Sequence, residues 1–96
     1  MRESQVEKHL CEQVKLLGGL CWKFTSPGLR GVPDRIVVMP QGRTYFVELK
    51  APTGDLRIAQ GRRLLELRQR GAQALVLNSI EAVNFWLEQI DGTHTS

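Results

Sequence analysis

The chain has 96 residues, 42% hydrophobic and 24% charged, which suits one globular domain and leaves no room for a second core. No apolar run approaches the roughly 18 residues needed to cross a bilayer, and the polar stretch from Met1 to Gln5 does not read as a secretory signal. A net charge of +3 leans towards polyanionic partners, and Cys11 and Cys21 match no metal or redox spacing, so both are expected to be reduced thiols in a cytoplasmic protein.

Val6, Leu10, Val14 and Leu17 recur at helical spacing, so residues Ser4 to Leu17 are expected to form an amphipathic helix that Gly18-Gly19 ends. Leu20 to Phe24 reads as a short strand, and Ser26 to Pro33, rich in glycine and proline, as loop. Arg35 to Met39 and Thr44 to Lys50 flank Pro40-Gln41-Gly42 and read as an antiparallel hairpin. A second helix is expected from about Leu56 to Arg70, closed by Gly71, then a strand over Ala74 to Leu77. Ser79 is placed to cap a third helix carrying Val83, Trp86, Leu87 and Ile90 on one side, with Phe85 and Trp86 available to core or interface. Trp22 and Trp86 both read as core. The order α-β-β-β-α-β-α predicts an α/β fold with a mixed sheet flanked by helices, one domain over residues 1–90 and a polar tail over 91–96.

The hairpin carries the chemistry. If its turn centres on Gln41, Asp34 faces Glu48; a one-residue slip leaves them diagonal but still adjacent. Two carboxylates that close repel unless one is protonated or a cation lies between them, and a hard divalent ion such as Mg²⁺ or Mn²⁺ suits their oxygens. Glu48 and Lys50 are two residues apart and so share a strand face. The strand is apolar on both faces before them, which makes it central and buried, with charges confined to its end. That arrangement is expected to cleave phosphodiester bonds. Asp34, Glu48 and the carbonyl of Leu49 would hold the metal, and Lys50 would lie beside the attacking water.

Gly31-Val32-Pro33-Asp34, then Glu48-Leu49-Lys50, then Gln60 resemble the virus-type replication-repair nuclease (VRR-NUC) domain. That family is a branch of the PD-(D/E)xK, restriction-endonuclease-like superfamily, and the likeness spans Glu3 to about Leu87. The resemblance implies Mg²⁺- or Mn²⁺-dependent cleavage of branched DNA, in a bacterial or phage-infected cell. It further implies that a stand-alone domain works as a homodimer resolving four-way (Holliday) junctions in DNA repair. It also places a first-helix glutamate at the metal site, with Glu3 the first choice because it falls on the inward stripe and Glu7 the second. Gln60 would sit near the active site, contacting the scissile phosphate or the water.

Lys23, Arg30, Arg57, Arg62 and Arg63 are expected to contact phosphates, as is Ser26 in the loop before the hairpin; Arg35, pointing away from Asp34, is expected to pair within the protein. The competing readings are a non-catalytic DNA-binding module that kept the fold and a flap or nicking nuclease.

Overall fold

The computed structural model describes residues 1–91. Its elements run α1 (Glu3–Leu16), β1 (Leu20–Lys23), β2 (Arg35–Val38), a 3-10 turn (Pro40–Gly42), β3 (Thr44–Leu49), α2 (Ile58–Gln69), β4 (Gln73–Leu77) and α3 (Ile80–Asp91). The expected order α-β-β-β-α-β-α is the observed one, with ends displaced by a residue or two. Most of the tail expected over 91–96 lies outside the described residues, as does His94; its first residue, Asp91, ends α3.

The four strands lie in the order β1-β2-β3-β4. β2 is antiparallel to both β1 and β3, and β4 joins β3 in parallel after the α2 crossover. β3 is thus flanked on both sides, which satisfies its backbone and explains why its residues run apolar on both faces. Its Tyr45, Val47 and Leu49 turn to one side of the sheet and join Val37 and Leu77 there. On that side lie Val6, Leu10 and Val14 of α1, each fully buried, with Val83 and Leu87 of α3. Burying each such side chain contributes on the order of 2 kcal/mol.

Local chemistry sets the helix ends. Gly18, at φ +84, turns the chain out of α1 in a conformation that a side chain disfavours. Ser79 caps α3 as expected: its Oγ accepts the Ala82 N–H at 2.9 Å. His9 and Asn84 join α1 to α3 at 2.7 Å, and the free thiols of Cys11 and Cys21 touch at 2.8 Å between α1 and β1.

The two tryptophans part company. Trp86 packs edge-on against Tyr45, with ring centres 5.1 Å apart, at the border of the core. Trp22 is 62% exposed, contrary to the expectation that it is core. The reason is topological: β1 is an edge strand, and α2, the helix on the opposite side of the sheet from α1, packs against β4 at the far edge. Phe85 is likewise exposed on α3. No helix among the described residues is long and apolar enough to cross a membrane.

Candidate active site

The register of the hairpin pairs Arg35 with Val47, so the next position outward sets Asp34 against Glu48, as the turn at Gln41 predicts. Asp34 lies just before β2 and is anchored twice. Its carbonyl accepts the Phe24 N–H at 2.9 Å, and its carboxylate Oδ2 accepts the Leu49 N–H at 2.8 Å. The same side chain therefore pins the end of β3, where Glu48 and Lys50 project from the face shared with Phe46.

Glu48 is 1% exposed and Lys50 9%, so both charges are held out of water. Glu48 Oε2 accepts a hydrogen bond from Gln60 Nε2 at 2.9 Å and lies 3.7 Å from Lys50 Nζ. Its other oxygen, Oε1, is buried with no hydrogen-bond partner in the protein. Burial pushes the Glu48 carboxyl up to about 8; Asp34 and the more distant Glu3 push the same way, and Lys50 only partly offsets them. A buried, unpaired carboxylate oxygen beside a second carboxylate is costly unless a proton or a cation joins it.

These residues fit a hard divalent ion. Among the described residues no three His, Cys, Asp or Glu side chains converge on one point. Asp34 and Glu48 supply two facing carboxylates that would hold such an ion, with the Leu49 carbonyl as a further oxygen donor. Glu3 opens α1 and stays exposed, so its inward placement is not met; its charge still reaches Glu48. Glu7 is committed elsewhere, accepting from Arg35 Nε at 2.7 Å and Lys23 Nζ at 3.2 Å. Burial works against its ionisation, but Arg35 and Lys23 outweigh that and hold its carboxyl below the usual range. Arg35 thus pairs within the protein as expected, and Glu7 is the structural glutamate of the two.

Gln60 has a clearer role than the sequence could assign. Its Oε1 accepts the Arg57 N–H at 2.8 Å, closing the first turn of α2, while its Nε2 holds Glu48. It is a positioning residue that ties the helix start to the carboxylate. Of the expected phosphate contacts, Lys23, Arg30, Arg57 and Arg62 are exposed and Ser26 is half-buried. Arg63 differs: it is largely buried and pairs with Glu66 at 3.0 Å.

The raised Glu48 pKa makes stability pH-dependent, and a bound cation would compete with the proton. The folded protein holds the Glu48 proton more tightly than the unfolded chain, whose ordinary value is about 4.5. The resulting stabilisation is complete below that value and is lost as pH rises towards about 8. In EDTA, the Tm followed by circular dichroism is expected to fall across that window. Mg²⁺ at pH 8 is expected to restore it, because an ion bound to the folded state alone stabilises it. A Tm that ignores both pH and Mg²⁺ would contradict this account of Glu48.

The comparisons agree with the fold. The profile of the VRR-NUC domain matches residues 3–81. The chain is 47% identical over 79 residues, 82% of its length and 85% of the relative's, to "Putative nuclease p44" of Acyrthosiphon pisum secondary endosymbiont phage 1. Among solved structures, one described as a VRR_NUC domain superposes with a TM-score of 0.85 at 34% identity, covering 90% of this chain and 94% of the other. With a mixed sheet of the restriction-endonuclease type and the Asp34–Glu48–Lys50 constellation at its centre, the chain belongs to the VRR-NUC domain family of nucleases.

Proposed function

We propose that this protein is a metal-dependent, structure-selective endodeoxyribonuclease that cuts branched DNA as a homodimer, using Mg²⁺ or Mn²⁺. The observation that carries the reading is the buried Glu48, with Oε1 unpartnered opposite Asp34 and Lys50 alongside. A metal bound there would polarise the scissile phosphate and lower the pKa of a coordinated water. The protein's own contributions are positional and electrostatic. Asp34 fixes the end of β3, and Gln60 fixes Glu48. Lys50, nearly buried, directs a positive charge at the site where negative charge develops on the phosphate, and a charge in a poorly hydrated site acts more strongly than one in water.

The exposed Lys23, Arg30, Arg57 and Arg62, with Ser26, come from β1, the loop leading to Asp34 and the start of α2, the segments that border the site. They would hold the DNA backbone without reading bases, so recognition would follow DNA shape. A two-fold dimer matches the symmetry of paired cuts in a four-way junction. Trp22 and Phe85, 62% and 65% exposed, offer apolar surface that a second copy would cover.

The test compares labelled four-way junction, flap and linear duplex DNA, with the protein's mass in solution measured by light scattering. Paired, symmetric cuts in the junction by a dimer are the expected result. A monomer that cuts flaps or nicks duplex would keep the nuclease and overturn the resolvase. Tight binding without cleavage of any DNA in either metal would favour a non-catalytic module.

A further inference from the structure

A cavity of about 470 Å³ opens on the face of the sheet that carries Glu48. Phe24 and Phe46 form one wall, with ring centres 6.1 Å apart and planes inclined at 57°. Leu29, Val32 and Pro33 of the loop before β2 form another, and Leu67 closes it from α2. The polar groups on its lining are Arg63, Glu66 and Arg70. Arg63 and Glu66 pair side by side, yet Arg63 Nε is buried and makes no hydrogen bond although Glu66 Oε1 lies 3.0 Å away. Arg70 reaches back to the Glu66 carbonyl at 3.1 Å.

The cavity is contiguous with the proposed catalytic residues. Phe46 and Glu48 are alternate residues on one strand face, about 7 Å apart along the strand, and Pro33 directly precedes Asp34. A group in the cavity thus lies within the span of one nucleotide from a phosphate at Glu48 and Asp34. Two aromatic rings and aliphatic walls suit a flat, weakly polar ring, which stacking favours whatever the base. The guanidinium and carboxylate groups on the lining can meet the donors and acceptors of a base edge.

We propose that this cavity holds one unstacked nucleobase of the substrate strand, next to the phosphate being cut. Selectivity for branched over fully stacked DNA would then arise partly at this cavity, because extracting a base costs least where stacking is already broken. The proposal deepens the nuclease reading and rests on it for the meaning of the neighbouring phosphate.

Its test has one arm independent of cleavage. Methyl NMR spectra of the full chain are recorded with each of the four deoxynucleoside 5′-monophosphates, and with deoxyribose 5-phosphate as a probe lacking the base. The Leu29, Val32 and Leu67 methyl signals are expected to shift with nucleotides and not with the sugar phosphate, and Phe24→Ala is expected to weaken that response about tenfold. Identical shifts with the sugar phosphate, or no shift with any nucleotide at millimolar concentration, would overturn the proposal without need of the variant.

In the second arm, a single abasic site is stepped through the strand around the cut in branched DNA. One position is expected to reduce cleavage about tenfold for the natural protein. Full cleavage with the abasic site at every position would overturn the base pocket and leave the nuclease intact. Nucleotide-specific methyl shifts in a protein that cuts nothing would support the pocket and remove the nuclease.

Discussion

Replacing Glu48 with glutamine is expected to lower cleavage by on the order of a thousandfold or more, the equivalent of several kcal/mol of transition-state stabilisation. Glutamine keeps the volume and a hydrogen-bonding oxygen for Gln60, but it removes the negative charge that, with Asp34, would hold the cation of the proposed mechanism. The same change is expected to raise the stability of the metal-free protein at pH 8. Glu48 has a carboxyl pushed up to about 8, so near that pH it ionises at the expense of the fold, and the neutral amide avoids this loss. Activity and stability should thus move in opposite directions. Cleavage rates and circular dichroism melts on the one variant read both. Loss of cleavage together with loss of fold would show Glu48 to be structural, and retained cleavage would remove it from the mechanism.

Gly31→Ala is expected to cost about 3 kcal/mol of stability and to reduce cleavage well below the melting temperature. Gly31 has φ +84, a region that strains any side chain. A Cβ there would lie 2.5 Å from the carbonyl carbon of Ala59, 2.6 Å from its oxygen and 2.8 Å from the Gln60 nitrogen. Those atoms are helix backbone and cannot rotate aside, so the first turn of α2 must shift, carrying Gln60 from Glu48. This gives the glycine of Gly31-Val32-Pro33-Asp34 a physical reason: it allows the loop to lie against the helix that positions the carboxylate. Gly28→Ala is the control, since a Cβ at Gly28 meets nothing within 4 Å and φ there is not positive. Its expected effect is within about 0.5 kcal/mol. Denaturant unfolding of the two variants checks the contrast, and equal stabilities would contradict this account of the motif.

The hairpin was legible because two local rules fix it. A turn at Gln41 sets the register, and the two-residue period of a strand puts Glu48 and Lys50 on one face. The core stripe of α1 followed from helical spacing for the same reason. Glu3 escaped that rule: it lies at the very start of the helix, where a position on the inward stripe no longer guarantees cover by the sheet. Trp22 was misread because an aromatic in a short apolar run is buried only if a helix covers its strand, and helix placement over a sheet edge is not written in periodicity. The positioning role of Gln60, which the family resemblance had set near the site without a definite part, and the cavity share another limit. Both depend on contacts between α2, the Phe24–Pro33 loop and β3, which are distant in sequence and follow no spacing rule. The pairing of Glu7 with Arg35 and Lys23 shows that two glutamates one helical turn apart can have different fates, decided by which strand residue each meets.

The central claim, metal-dependent cleavage at Asp34, Glu48 and Lys50, is tested most directly with one purified sample and one labelled branched DNA. Cleavage is followed in EDTA, then after Mg²⁺ or Mn²⁺ is added in excess. The account predicts no product in EDTA and prompt cutting once either metal is present. Cutting at an undiminished rate in EDTA, or intact DNA in both metals, would contradict it.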